Sequence, residues 1–366
     1  MEVLLMDFSC LQRCNWKGLL RLEEHQNKAI ETALQLAAES GDIAALIEQD
    51  LKNLINGVGK LESAEELRIH LYGHALYRIH PVLVLLMRLP WLIDQYSAHQ
   101  IPDNILIDTL SDVKIWMKVC EKKTGVPGLL EYGWLNNHFS FRLFRLGRLQ
   151  FIHQPGGTPA FVYRHRTSGL ITALCPDGAS YHPNGDGAGV NSRPLDDVWQ
   201  ATLRVENGTV TGFPIHRSGY ALRSQVSLSL DDWELVYQPS DPVLDMHIAE
   251  GQPLSPEAVR ESLDMAPEFF KQHLGVSKIH ALTCSSWLLD DNIAQIQPNG
   301  NIAAFQRFFQ LVPHADSSDW QTRQRAFGDP DTDILKAECR TSLQKGIAAW
   351  YASGRACRHA AGIIIL

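Results

Sequence analysis

The sequence predicts an α+β protein in which a helical domain, residues 1–135, precedes a mixed β-sheet domain flanked by helices, residues 136–366. In the first third, apolar residues recur every three or four positions, as they do on the buried face of a helix. From Phe139 the period changes to two, which is typical of strands. After Pro242, strand-like and helix-like segments alternate, so the last third predicts a βαβα unit inside the second domain.

Two apolar stripes carry the prediction of the helical domain. They comprise Ile43, Leu46, Ile47, Leu51 and Leu54, and then Leu106, Leu110, Val113 and Met117. The second stripe ends at two lysines, a threonine and Gly125, and cations followed by glycine are typical of a helix C-terminus. His70 and His74 lie one turn apart on another helical stretch, but no HExxH motif joins them, so we expect no metal site.

Strands are predicted where apolar and polar residues alternate. Phe139, Phe141 and Leu143 alternate with polar residues, and slips of phase at Phe144 and Gly147 predict bends or bulges in that strand. Further strand candidates cover residues 161–163, 199–205 and 226–230. Pro, Gly, Asn and Asp crowd the interval 176–194, which predicts a loop.

A strand over 243–248 opens the βαβα unit. A short loop leads from it to Ser255, the expected N-cap of a helix whose first residue is Pro256. Pro267 should kink or divide that helix, because proline lacks a backbone N–H. The other expected elements are a strand over 279–289, a helix capped by Asn301, a helix over 333–352 and a buried strand over 362–366.

The composition excludes several classes of protein. The 366 residues are 45% hydrophobic and 20% charged, as in an ordinary globular chain. With a net charge of −8 and no basic block, the chain is a poor candidate for binding nucleic acid or a membrane surface. Seven scattered cysteines without a CxxC pair predict neither a disulfide scaffold nor a zinc ribbon. The first ten residues lack signal-peptide features, and the longest apolar run covers only residues 82–87, so we expect a cytoplasmic protein.

No strong catalytic motif is present, since the GxxxxGK[ST], GxGxxG and GxSxG patterns are all absent from the sequence. Cys284, Ser285 and Ser286 could hold a nucleophile, which leaves a serine or cysteine hydrolase open as one interpretation. The strand, loop and helix N-terminus at 243–256 are more informative. A helix N-terminus presents unpaired N–H groups and the positive end of the helix dipole, and it therefore suits a phosphate group. The next strand and helix could flank the same cleft, as in an acyl-CoA site.

Seven segments of the second domain carry a resemblance to a known family. They are FRLGRLQF at 144–151, VYRHRTSG at 162–169, GFPIHRSG at 212–219, VLDMHIAEGQPLSPEAVRESL at 243–263, SSWLLDDN at 285–292, NIAAFQRFF at 301–309 and RTSLQKGI at 340–347. This part of the chain resembles the GNAT-like C-terminal domain of bacterial acyltransferase domain-containing proteins. The helical first third resembles the N-acyltransferase N-terminal domain that precedes it in those proteins.

The resemblance implies an acyl-CoA substrate whose pyrophosphate lies on the loop from Glu250 to Ser255. The residues implied in cofactor binding are Gly251, Gln252, Leu254, Ser255, Asn301 and Arg148. The arginine cluster near the first strand of the domain could contact an anionic substrate or the CoA phosphates; its members are Arg142, Arg145 and Arg148. The loop departs from the family pattern, because Pro253 lacks an N–H and no second glycine follows Gly251.

The resemblance also implies roles for four residues in the chemistry. His247 is the expected base for the acceptor amine, with Glu250 as the alternative. Cys284 or Ser285 could supply a proton to the departing thiolate. We therefore favour an N-acyltransferase that moves an acyl group, expected to be acetyl, from acyl-CoA to a small-molecule amine, with the helical domain as a lid or a wall of the acceptor site. The alternative is a non-catalytic ligand-binding or interaction protein on the same scaffold.

Overall fold

The computed structural model describes residues 8–188, 196–313 and 318–366. The described chain forms two compact units. The first comprises the residues up to Leu146, together with Gln150–Ile152 and Lys271–Gly275. The second comprises Gly147–Leu149, His153–Phe270 and Val276–Leu366. Part of the predicted loop, residues 189–194, lies outside the described residues.

The first unit is built from helices, as the sequence predicts. The helices are α1 (Ser9–Arg13), α2 (Trp16–Leu20), α3 (Glu24–Glu39), α4 (Gly41–Ile55), α5 (Glu65–Tyr72), α6 (His80–Met87), α7 (Leu89–Ala98), α8 (Asp103–Thr124) and α9 (Tyr132–Phe139). Both predicted stripes supply buried residues, among them Ile47 on α4 and Leu110 on α8. Gly125 ends α8 in the left-handed conformation, and its N–H donates to Glu121 O at 2.8 Å.

A buried polar cluster lies inside this helical unit. His80 Nε2 lies 2.8 Å from Asp50 Oδ2, and the Tyr72 hydroxyl lies 3.0 Å from His80 Nδ1. Ser63 donates its hydroxyl to Asp50 at 2.6 Å. Burial alone would raise the pKa of Asp50, but the hydrogen bonds from His80 and Ser63 hold that pKa below its ordinary value. Burial lowers the pKa of His80, so the pair is a carboxylate with a neutral imidazole.

The second unit contains most of the strands. The strands of the described residues are β1 (Leu143–Leu146), β2 (Leu149–Pro155), β3 (Phe161–His165), β4 (Ile171–Leu174), β5 (Ser180–Tyr181), β6 (Trp199–Gln200), β7 (Leu203–Glu206), β8 (Thr209–Gly212), β9 (Val226–Ser229), β10 (Trp233–Tyr237), β11 (Pro242–His247), β12 (Ala281–Ser286), β13 (Gln310–Val312) and β14 (Ala360–Ile365). The main sheet has the order β1-β2-β11-β12-β14-β13. Strands β11 and β12 run parallel, whereas β14 is antiparallel to both β12 and β13.

The remaining helices follow β11. They are α10 (Pro256–Leu274), α11 (Asp291–Ile296), α12 (Asn301–Gln306), α13 (Trp320–Thr322) and α14 (Ser342–Ala352). Among the described helices, none alone has both the length and the apolar character that a bilayer crossing requires. The bent pair Glu65–Tyr72 and Tyr77–Ala98 meets that test together, on length and composition.

The predicted strand from Phe139 begins too early. Phe139 is the last residue of α9, Phe141 has a positive φ of 57°, and β1 starts only at Leu143. The alternating aromatic residues have another cause, because the ring of Phe141 packs against Tyr96 and Phe144 at centroid distances of 5.5 and 5.0 Å. Tertiary packing, not a strand, therefore explains the pattern before Leu143.

Two other expectations were also partly wrong. The helix predicted over 333–352 is shorter, because α14 starts at Ser342 after a capping box formed by Thr341 and Gln344. Helix α10 continues through Pro267 without being divided. The buried terminal strand is confirmed as β14, which lies between β12 and β13 in the sheet.

Candidate active site

The parallel strands β11 and β12 part at their carboxyl ends. Their last paired residues are Met246 and Cys284, although β12 stays paired with β14 as far as Ser286. Beyond this point β11 leads into the loop 248–255, and the backbone of Ser285 has lost its partner strand on the β11 side. In open sheets, ligands bind outside the carboxyl ends of parallel strands where neighbouring strands diverge. We therefore take this opening as the candidate active site.

Two functional side chains project from the same face of the sheet at this opening. Asp245 and Thr283 are paired in register, and Thr283 Oγ1 donates to Asp245 Oδ1 at 3.1 Å, so both side chains lie on one face. Because side chains of a strand alternate between faces, the residues two positions further lie on that face as well. These residues are His247 and Ser285. The predicted base and one predicted proton donor thus flank the opening from its two sides.

His247 lies beside a carboxylate that the rest of the sheet holds in place. Its Nε2 atom lies 3.2 Å from Asp245 Oδ2. Gln154 on β2 donates to the same Asp245 oxygen at 3.0 Å, while Thr283 donates to the other oxygen. An adjacent carboxylate stabilises the imidazolium that forms when a histidine accepts a proton. Sequence reasoning had missed Asp245, because a carboxylate two residues before a histidine on a strand is not a distinctive pattern.

Ser285 lies beside a second histidine, His359, which was not among the predicted site residues. Ser285 Oγ lies 3.1 Å from His359 Nε2. Ser285 pairs with Ala361 across the β12–β14 ladder, and His359 precedes Ala361 by two positions, so both side chains share one face. Only the strand register reveals this pair, because the two residues are 74 positions apart.

Cys284 and Ser286 do not share the position of Ser285. The Cys284 side chain points to the opposite face, is 1% exposed, and has a pKa raised by burial, so its thiol is neutral and shielded. The Ser286 hydroxyl accepts the Leu288 N–H at 3.2 Å at the start of a turn. The geometry is therefore against Cys284 as the group that meets the thiolate.

Arg148 holds the loop after β11 from beneath. The Arg148 side chain is buried, with Nε donating to Gln252 O at 2.6 Å and Nη1 donating to Ala249 O at 2.9 Å. The Arg148 N–H also donates to the Ser262 hydroxyl on α10 at 2.8 Å. The role of Arg148 in cofactor binding stays a prediction, and in the structure these two guanidinium donors bind the loop backbone.

The exposed part of the loop presents backbone amides to solvent. Glu250, Gly251 and Gln252 are exposed, and Gly251 has a φ of 139°, which favours glycine. In a trans peptide the N–H points opposite to the preceding C=O. Since the Ala249 carbonyl points to Arg148, the Glu250 N–H points away from it. The peptide after the Gln252 carbonyl offers no N–H to an anion, because its nitrogen belongs to Pro253.

The other predicted cofactor-binding residues lie around this loop and the next helix. Leu254 is buried, which leaves only its backbone for a cofactor. Ser255 caps α10 as predicted, with its hydroxyl accepting the Ala258 N–H at 3.3 Å. Asn301 is exposed and is the first residue of α12, whose N-cap is Gly300, so its predicted capping role was wrong by one position.

Comparison with known protein families identifies the family of the chain that carries this site. Residues 143–364 match the model of the GNAT-like C-terminal domain, and residues 17–141 match that of the N-acyltransferase N-terminal domain. The chain belongs to the GNAT-like acyltransferases. The family resemblance predicted from sequence is thereby confirmed, together with the fold class and the assignment as an acyltransferase enzyme. No curated protein matched the chain.

Solved acyltransferase structures share the fold. One in complex with decanoyl-CoA and teicoplanin matches with a TM-score of 0.61 and 19% identity, over 96% of this chain and 87% of that chain. Another, in complex with CoA and 10C-teicoplanin, has a TM-score of 0.62 and 19% identity, over 96% and 87% of the two chains. A variant in complex with octanoyl-CoA has a TM-score of 0.61 and 18% identity, over 97% and 88%.

In this GNAT-like domain, an open groove of about 810 Å³ lies along α10. Four carboxylates line it, those of Glu257, Glu261, Asp264 and Glu268, against a single arginine, Arg260, so its lining carries a net negative charge. Such a surface repels the phosphates of CoA. The groove is therefore a poor site for CoA, and the opening between β11 and β12 remains the candidate.

A buried ion network stands immediately beside His359. Arg358 is 3% exposed; its Nη1 donates to Asp186 Oδ1 at 2.7 Å, and its backbone N–H donates to Asp290 Oδ2 at 2.8 Å. The guanidinium also lies 4.4 Å from the ring centroid of Tyr220. Burial raises the pKa of Asp290 to about 6, although Arg358 acts in the opposite direction. The network fixes the backbone from which the His359 side chain projects.

Proposed function

We propose that this acyltransferase takes its acyl group from acyl-CoA and transfers it to an amine of a small-molecule acceptor in the cytoplasm. One observation carries the proposal. His247 and Ser285 lie on the same face of the sheet, on opposite sides of the place where β11 and β12 part. A thioester placed in this opening would have a base on one side and a proton donor on the other.

The phosphates of CoA would lie on the loop after β11. Two features favour an anion there, namely the N-terminus of the 19-residue helix α10 and the amide of Glu250, which points away from Arg148. The Arg148 guanidinium holds the loop that presents this amide. Pro253 and the single glycine leave fewer amides than the family pattern provides, so we expect micromolar and not nanomolar affinity, or about −8 kcal/mol.

The chemistry follows from the same geometry. As the acceptor nitrogen attacks the thioester carbonyl, a C–N bond forms and the amine loses a proton to His247. The Asp245 carboxylate stabilises the resulting imidazolium. The tetrahedral intermediate then collapses, the C–S bond breaks and the departing CoA sulfur takes a proton from Ser285 on the other side of the opening. Glu250 is exposed on the loop and remains the alternative base.

The preferred acyl chain length and the acceptor are the next questions that the proposal raises for experiment. The sequence suggested an acetyl donor, whereas the solved relatives hold octanoyl or decanoyl chains, and two of them also hold teicoplanin or its 10C derivative. A series of acetyl-, octanoyl- and decanoyl-CoA compares these donors directly. An acceptor screen should include glycopeptides and simple primary amines.

The first experiment combines calorimetric titration of CoA with a turnover assay of His247→Ala. We expect wild type to bind CoA in the micromolar range. His247→Ala should bind equally well but lose about 10²- to 10⁴-fold in kcat, the usual contribution of a general base.

The chain supplies a matched control at the other end of the same strands. His280 Nδ1 lies 3.1 Å from Asp241 Oδ2, which is a similar pair before β11 and β12 begin. His280→Ala should retain kcat. Equal losses in both variants would show that histidine removal damages the sheet, and would refute the base assignment. Absence of CoA binding by wild type at millimolar concentration would refute the proposal and favour the non-catalytic alternative.

A further inference from the structure

The reaction needs a second proton transfer, because CoA departs as a thiolate and ends as a thiol. An alkyl thiol has a pKa of about 8.5, so the thiolate can depart unaided but departs faster when a donor is in place. Three side chains follow one another at the end of β12. Cys284 is buried on the opposite face and Ser286 caps a turn, which leaves the exposed Ser285 facing the opening.

We propose that Ser285 and His359 form a proton relay to the CoA sulfur, an inference that rests on the proposed acyl-CoA function. As the C–S bond breaks, the sulfur takes the hydroxyl proton of Ser285. The serine oxygen then takes a proton from Nε2 of the His359 imidazolium. His359 is left neutral, His247 carries the proton of the acceptor amine, and exchange with water restores both.

The relay has a defined geometry without substrate. The Ser285 Oγ to His359 Nε2 distance is already 3.1 Å, within hydrogen-bonding reach. The residue before His359 is held by two buried carboxylates, those of Asp186 and Asp290. Preorganisation of this kind is what a proton donor requires, because the group must be in place when the bond breaks. Ser285 would be the catalytic residue, and His359 a positioning residue that also supplies the proton.

The test compares Ser285→Ala, His359→Gln and the double variant in steady-state turnover. Each single change should lower kcat about 10- to 100-fold, which is below the usual range for acid–base catalysis because a thiolate can also depart unaided, with KM for acyl-CoA unchanged. The double variant should be no slower than the slower single variant, because groups that act as one unit are not additive. Ser285→Thr should retain most of the activity.

A second serine–histidine pair provides the control. Ser168 Oγ lies 3.1 Å from His165 Nδ1 in an exposed turn, so Ser168→Ala removes a similar hydrogen bond elsewhere. The relay would be overturned if kcat of each single variant stayed within twofold of wild type, if the losses of kcat in the two single variants added up in the double variant, or if only KM changed. The proposed transferase function would survive each of these results. A covalent acyl group on Ser285, detected by mass spectrometry, would also overturn it, because the serine would then be a nucleophile. If wild type itself transfers no acyl group, the underlying acyltransferase proposal is refuted instead.

Discussion

Arg148 offers a sharp test of how the phosphate loop is built. Its guanidinium binds Gln252 O at 2.6 Å and Ala249 O at 2.9 Å, and the residue is only 8% exposed. A hydrogen bond to a charged group contributes about 1.5–3 kcal/mol, so the two bonds hold the loop with up to about 3–6 kcal/mol. If half of this is needed to keep the amides oriented, Arg148→Met weakens CoA binding by roughly 10- to 100-fold.

Lysine at the same position separates the two roles that Arg148 could have. A direct phosphate contact needs only a positive charge, which lysine keeps. Spanning two carbonyls needs the planar fork of arginine, which lysine lacks. We therefore expect Arg148→Lys to lose nearly as much affinity for CoA as Arg148→Met, as measured by calorimetry.

The salt dependence of binding and a control variant complete this test. Loss of a direct phosphate contact reduces the dependence of the binding constant on salt, whereas loss of loop support leaves it unchanged. Arg142→Met removes an exposed arginine from the same sequence cluster and should bind CoA like wild type. Near-normal affinity of Arg148→Lys, or a reduced salt dependence in Arg148→Met, would refute the loop-holding role.

Two further predictions concern the buried charges. Arg358→Met leaves Asp290 buried without its counter-ion and should lower the free energy of unfolding by about 3–5 kcal/mol. The double variant Arg358→Met/Asp290→Asn should recover part of this loss. A double variant less stable than Arg358→Met alone would contradict the prediction. In the first unit, the lowered pKa values of His80 and Asp50 make the unfolded chain bind more protons than the folded one. The stabilisation from this pair is therefore complete above about pH 6.5 and is lost as the pH falls, first below about 6.5 for His80 and then below about 4 for Asp50. The free energy of unfolding should depend less on pH in His80→Gln than in wild type, as measured by denaturant unfolding of both proteins. Parallel pH dependences of the two proteins would refute this.

The candidate site was only partly predictable from sequence. His247 and the cap of α10 were found because their signals are local, a histidine on a predicted strand and a Ser-Pro pair at a helix start. Asp245 and His359 were missed. A carboxylate two residues away on a strand has no distinctive pattern, and His359 lies near the end of the chain, far from any recognised motif. The same residue types occur at many exposed positions, so type alone does not identify them.

The sequence by itself determined the helical first unit, the mixed sheet, the strand–loop–helix at β11 and α10, and the buried terminal strand β14. Those features depend on periodicity and capping within a few residues, where neighbours in sequence are neighbours in space. Only the tertiary structure decided that Ser285 meets His359 across 74 positions, and that Arg148 holds the loop 104 positions away. Strand register and burial bring these groups together, and both are set by the packing of the whole sheet.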